Sequence, residues 1–118
     1  MKTPLSTIVY DLVNRGSIDH AIVLVEAAKN GKITTREIVK ICQIIGKKST
    51  RGVTSWISQT IHRGWLKRID RATYTLGDSI INDLNEALKV LERYGINLAE
   101  IEKILKSENK RINIGEIL

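Results

Sequence analysis

Residues 49–77 read STRGVTSWISQTIHRGWLKRIDRATYTLG, and the order of elements within them decides the fold. Val53, Trp56, Ile57, Thr60 and Ile61 recur at helical spacing, so the stretch opens as an amphipathic helix over residues 50–63, with Ser49 and Thr50 at its start. Gly64 stops it. The period then turns extended: Trp65–Ile69 and Thr73–Leu76 predict two short strands, joined at a tip of Asp70, Arg71 and Ala72. Between Lys47 and Arg71 the chain holds seven basic residues (Lys47, Lys48, Arg51, Arg63, Lys67, Arg68 and Arg71) against the single acid Asp70. That local +6 equals the formal net charge of the whole 118-residue protein. Positive charge gathered on one helix and one hairpin points to a polyanionic partner.

Upstream, Thr34 and Glu37 match a capping box, in which each side chain satisfies an orphan backbone N–H. The helix they open carries Ile38, Val39, Ile41, Cys42 and Ile45 and stops at Gly46. The turn Gly46-Lys47-Lys48-Ser49 then leads into the basic helix, a helix-turn-helix spacing. Nearer the N-terminus, Thr3 and Pro4 predict a capped helix with Leu5, Ile8, Val9, Leu12 and Val13 on one face. Ser17 is positioned to cap a second helix bearing Ile18, Ala21, Ile22, Leu24, Val25 and Ala28, closed by Asn30-Gly31, with Ile33 in an extended connector. Downstream, Asp78 is read as the cap of a long helix whose stripe is Ile81, Leu84, Leu88 and Leu91, widened by Ile80, Ala87 and Tyr94 and ended by Gly95. Asn97 and Glu100 form a second capping-box pair before Leu98, Ile101, Ile104 and Leu105. Residues 110–118 carry no assignable pattern.

Helix, short strand, helix, helix, strand, basic turn, strand is an order that resembles a winged helix-turn-helix domain. The residues that carry the resemblance are Ser49-Thr50, the run Arg63-Gly64-Trp65-Leu66-Lys67-Arg68, then Asp70-Arg71 and Tyr74-Thr75-Leu76. They are similar to the end of the recognition helix, the opening of the wing and the return strand of MarR-, PadR- and ArsR-like transcription regulators, over about residues 17–77. One departure is Thr60, which stands where many members have a bulky apolar residue; Ile61 is the candidate to take over that core role. The resemblance implies a mainly α fold with a small β-hairpin, in three parts. These are an accessory N-terminal helix (1–16), a winged-helix DNA-binding domain (17–77) and a C-terminal two-helix arm (78–118). It also implies sequence-specific binding of double-stranded DNA in transcription regulation, of an archaeal, archaeal-virus or plasmid kind.

The polar face of the basic helix, Thr50, Arg51, Thr54, Ser55, Ser58, Gln59 and His62, contains no carboxylate. Arg pairs bidentately with guanine and Gln with adenine, while Ser and Thr bond base edges or phosphates. The expected base contacts are therefore Arg51, Thr54, Ser55, Ser58 and Gln59. Lys47, Lys48, Ser49, Thr50, His62, Arg63, Lys67, Arg68 and Arg71 are the expected contacts to the DNA backbone, with Arg71 at the tip. Trp65 and Tyr74 read as anchors of the hairpin rather than as stacking platforms for single strands.

Other classes of function find little support. Two histidines (His20, His62) and one cysteine (Cys42) supply no metal-ligand cluster and no nucleophile–base pair, and no glycine-rich phosphate loop is present. No enzyme and no cofactor is expected, and no motif specifies a small-molecule effector. Cys42 lies on an apolar helix face and reads as core. No apolar run matches a signal peptide or a membrane span, which predicts a cytoplasmic protein without a membrane partner. Nineteen isoleucines, eleven lysines and two glutamines fit a thermophilic source or an AT-rich genome. Residues 78–118 hold six basic and eight acidic groups, a net −2 that makes a poor DNA surface. The stripe of Leu5, Ile8, Leu12, Ile81, Leu84, Leu88 and Leu91 is instead predicted to join the N-terminal helix to the arm and to a second copy. Such a homodimer sets two recognition helices roughly 34 Å apart. Two alternatives remain: a winged-helix protein–protein adaptor, and a plasmid or virus partition or replication accessory protein.

Overall fold

A computed structural model describes residues 2–117, with side chains through Ser107. The chain begins with a two-residue strand β1 (Thr3–Pro4) and helices α1 (Leu5–Asn14) and α2 (Ile18–Asn30). Strand β2 (Ile33–Thr34), helices α3 (Thr35–Ile44) and α4 (Thr50–His62), and strands β3 (Leu66–Asp70) and β4 (Thr73–Leu76) follow. A two-residue strand β5 (Ile80–Ile81) and helices α5 (Leu84–Arg93) and α6 (Leu98–Ile117) complete it. The fold is thus mainly helical with a small antiparallel sheet, ordered β2-β4-β3. Among the described residues no helix is long and apolar enough to cross a membrane.

The core is organised around α2, whose residues from Ala21 to Ala27 are all buried. A helix apolar on nearly every side must be surrounded, and α1, α3, α5 and the sheet do so. Gly31 ends α2 at φ +82°, a left-handed conformation that costs glycine little. The capping box at α3 forms as predicted: Thr34 Oγ1 accepts from the Glu37 N–H at 3.1 Å, and Glu37 Oε1 accepts from the Thr34 N–H at 3.0 Å. β2 then pairs with β4 (Ile33 opposite Tyr74), and β3 with β4 (Leu66 opposite Leu76), with an irregularity between Arg68 and Asp70. Thr60 is fully buried and donates its hydroxyl to the Trp56 carbonyl at 2.7 Å, so it keeps the core position without an unpaired polar atom. Ile61, expected to replace it, is only half-buried against the core.

The segment after the hairpin differs from the sequence reading. Asp78 caps no helix; Ile80 and Ile81 are strand residues, paired in parallel with Thr3 and Pro4, and α5 starts only at Leu84. The strand turns Ile81 out, 48% exposed, so the helical stripe begins at Leu84. Thr3 is not the cap of α1, and Ser17 forms no side-chain cap on α2. The orphan N–H of Ser6 in the first turn of α1 is satisfied by Asp83 Oδ1 at 2.8 Å, across 77 positions of sequence. Gly77 permits the tight return: its N–H donates to the Trp65 carbonyl at 2.8 Å, and a Cβ there would run into the Gly64 backbone carbonyl.

α6 docks on α2 and α3 through two lysines: Lys29 reaches Glu102 at 2.8 Å, and Lys40 donates to the Leu105 carbonyl at 3.2 Å. Beneath them lies Glu26, only 8% exposed. Burial, with a hydrogen bond to Glu102, pushes its carboxyl up to about 7. Burial alone would also raise Glu102, but the hydrogen bonds from Lys29 and Glu26 outweigh it and hold Glu102 below its ordinary value. The shared hydrogen bond therefore puts the proton of the pair on Glu26, facing Glu102, while Glu26 Oε2 has no hydrogen-bond partner among the described residues.

Two outcomes follow from the packing. Gly77→Ala should cost about 2 kcal/mol in urea unfolding, because backbone rather than a movable side chain blocks the new methyl. A raised folded-state pKa gives stability that is present below the unfolded value of 4.5 and lost as pH rises through about 7. Glu26→Gln should remove that loss, roughly 3 kcal/mol between pH 4.5 and 8; parallel pH–stability curves for the two proteins would contradict it.

Candidate functional site

Ser49 starts α4, its hydroxyl accepting from the Gly52 N–H at 3.2 Å. Val53, Trp56, Ile57 and Thr60 are buried, which fixes the rotation of the helix and turns Arg51, Thr54, Ser55, Ser58, Gln59 and His62 outward into solvent. The five residues predicted for base contact thus lie together on one exposed, carboxylate-free face. Two hydroxyls near the start of the helix are already engaged: Thr50 Oγ1 accepts from Gln43 at 3.0 Å, and Thr54 donates to the Thr50 carbonyl at 3.0 Å.

The cations predicted to flank this face divide into two groups. Arg51 at the helix start, Arg71 at the hairpin turn and Lys47 are exposed, and the described residues form no ion pair with them. The others are positioned by neighbours. Arg63 lies over the Trp65 ring at 5.1 Å, and Arg68 over Tyr74 at 5.6 Å while donating to its hydroxyl at 3.4 Å. Lys67 stands 3.7 Å from Asp78, both exposed. Tyr74 is buried and Trp65 half-buried, so both anchor the hairpin.

Lys48 has a structural task. Its Nζ is 2.7 Å from Oδ2 of Asp19, a carboxylate that is 2% exposed, and 3.2 Å from His20 Nε2. Asp19 reaches the turn between α3 and α4 because Gly46 has no side chain; a Cβ there would collide with the carboxylate. The His20 ring lies flat on Trp56 of α4, centroids 4.0 Å apart. Burial, aided by Lys48 and Arg63 and opposed by Asp19, pulls His20 down to about 4, so it is neutral near pH 7. Cys42 is fully buried, as predicted, and desolvation with Asp19 beside it pushes its thiol up to about 12.

The sequence reading finds no metal-ligand cluster, but the fold brings donor atoms of Asp19, His20 and Cys42 within 4.8 Å of one another. No spacing rule could have found this group, because α2 and α3 contribute from different helices. Asp19 and His20 are adjacent in sequence, and Gly46, which reads only as a helix stop, is what lets the Asp19 carboxylate in beside Cys42.

The stripe predicted for dimerisation is largely spent within the chain. Leu5, Ile8, Leu12 and Leu91 are buried where α1 packs on α5, Leu84 and Leu88 are half-buried, and Ile81 is exposed. Comparison of the chain with family models, curated proteins and solved structures finds no match.

Removing Lys48 as Lys48→Met should leave the buried Asp19 uncompensated and cost about 1–3 kcal/mol, less than for a fully buried pair because the lysine is one-third exposed. The same change should raise the His20 titration midpoint, since one lowering charge is gone while Asp19 stays. NMR titration of the imidazole reads it, and an unmoved midpoint would refute the assigned coupling.

Proposed function

We propose that the protein binds double-stranded DNA in a sequence-specific manner and acts as a winged-helix transcription regulator, with residues 17–77 as the DNA-binding unit. α4 reads the major groove through Arg51, Thr54, Ser55, Ser58 and Gln59, and the β3–β4 hairpin is the wing, with Arg71 at the backbone. The observation that carries this reading is the outward face of α4, exposed along its length and free of carboxylates. A merely solvated helix face ordinarily mixes both signs; a carboxylate-free face with one arginine, one glutamine and several hydroxyls suits base edges and phosphates. The succession α2, β2, α3, α4, β3, β4 supports it, since the recognition helix of such a domain follows a short turn and precedes the hairpin.

Lys47, Lys67 and the tethered Arg63 and Arg68 supply affinity without sequence information. Their rings hold the two arginines in place beforehand, which lowers the entropy lost on contact. The reading includes a homodimer on a palindromic site. Its contact is left with Ile81, Leu84, Leu88 and the exposed Tyr10–Tyr94 pair, whose rings meet edge to face at 6.0 Å.

Retention on duplex DNA should fall steeply with salt, with a log–log slope of roughly −0.9 per phosphate neutralised. Arg51→Ala should reduce discrimination among selected sequences by roughly 1–3 kcal/mol, whereas Arg71→Ala should weaken all sequences alike and flatten the salt slope by about one contact. Absence of salt-dependent DNA retention would move the protein to the adaptor class. Extended cooperative coverage in place of a discrete footprint would make it an architectural partition or replication protein.

A further inference from the structure

We propose that Asp19, His20 and Cys42 form a binding site for a borderline-soft divalent metal ion of the zinc type, and that the ammonium of Lys48, which bridges Asp19 and His20, is displaced when metal binds. Carboxylate oxygen, imidazole nitrogen and thiolate sulfur are together the donor set that such ions take. Their atoms already lie within 4.8 Å of one another, and His20 Nε2 stands 3.7 Å from Asp19 Oδ2. Tetrahedral coordination at bond lengths of about 2.0–2.3 Å sets ligand atoms roughly 3.3–3.6 Å apart, so side-chain rotation of about 1 Å closes the set.

Two further features fit a cation site. A cation is already there: Lys48 Nζ bridges Asp19 Oδ2 at 2.7 Å and His20 Nε2 at 3.2 Å. Two of the ligands are also oriented by their neighbours. The His20 ring is clamped flat on Trp56, and Asp19 is pressed against Gly46. An entry path exists along Lys48, whose side chain is 36% exposed while Asp19 is nearly sealed. On binding, the Cys42 thiol gives up its proton to solvent, the Lys48 ammonium swings outward with its charge intact, and water fills the fourth position. One metal ion enters and one proton leaves.

The site has a built-in reporter, because Lys48 lies in the turn before α4 and His20 rests on Trp56 within it. Metal occupancy therefore changes the N-terminal half of α4, whatever that helix binds.

The test is titration of the metal-free full chain with Co²⁺. One equivalent should produce a thiolate-to-cobalt charge-transfer band and the visible bands of tetrahedral cobalt, alter Trp fluorescence and be displaced by Zn²⁺. Cys42→Ser should abolish the charge-transfer band, and Lys48→Met, which removes the ammonium bridging Asp19 and His20, should tighten Co²⁺ binding about tenfold. Should Cys42→Ser fail to fold, His20→Gln serves instead and should weaken Co²⁺ at least tenfold. No charge-transfer band in either the wild type or Lys48→Met overturns the proposal. So does a band that persists in Cys42→Ser, or equal affinity in wild type and Lys48→Met. DNA retention plays no part in these readouts, so this site and the DNA-binding proposal fail or stand separately.

Discussion

The carboxylate of Asp19 is buried at the N-terminal end of α2, where a bare charge would be prohibitively desolvated. It is kept there by Lys48 from the turn before α4, and by Gly46, which leaves room for it. That contact ties the central helix to the start of α4, and the His20–Trp56 stack beside it ties the same helix to the middle of α4. Their joint effect is to fix both the position and the rotation of α4, because Val53, Trp56, Ile57 and Thr60 can be buried in only one orientation. The outward face of α4 is thus a consequence of what is held inside.

The same logic extends to the hairpin. β4 pairs with β2 on one side and β3 on the other, so the strand that carries Tyr74 is locked into the sheet while β3 presents its cations outward. Aromatic anchors and cationic neighbours are combined in two pairs, Arg63 with Trp65 and Arg68 with Tyr74. Charge is therefore presented from a rigid base beside α4, while Arg71 projects from the turn.

Much of the fold was legible in the sequence. The helical periods of residues 5–13, 18–28 and 38–45, the stop at Gly31, the capping box of Thr34 and Glu37, and the hairpin of residues 66–76 are local signals, and each forms. The face of α4 was readable for the same reason, since burial at helical spacing fixes which side chains turn out. The segment after Gly77 was not. Ile80 and Ile81 fit a helical stripe equally well by spacing; their extended form comes from pairing with Thr3 and Pro4, which lie at the far end of the chain. Asp83, rather than Asp78, stands before α5, and its carboxylate turns to α1, where it accepts from the N–H and the hydroxyl of Ser6.

The sequence by itself determined the elements whose causes are short-range: periodicity, caps, glycine stops and the clustering of positive charge between Lys47 and Arg71. Only the tertiary structure decided how the cations are used. It assigned Lys48 to a buried carboxylate, set Arg63 and Arg68 on aromatic rings, and left Arg51 and Arg71 exposed. It also consumed most of the apolar stripe in the packing of α1 on α5, and brought Asp19, His20 and Cys42 together from two helices. Local backbone preferences act over a few residues and are written in order along the chain. The pairing of a buried charge depends on which distant residue the packing brings within about 3 Å, and no window of sequence holds both partners.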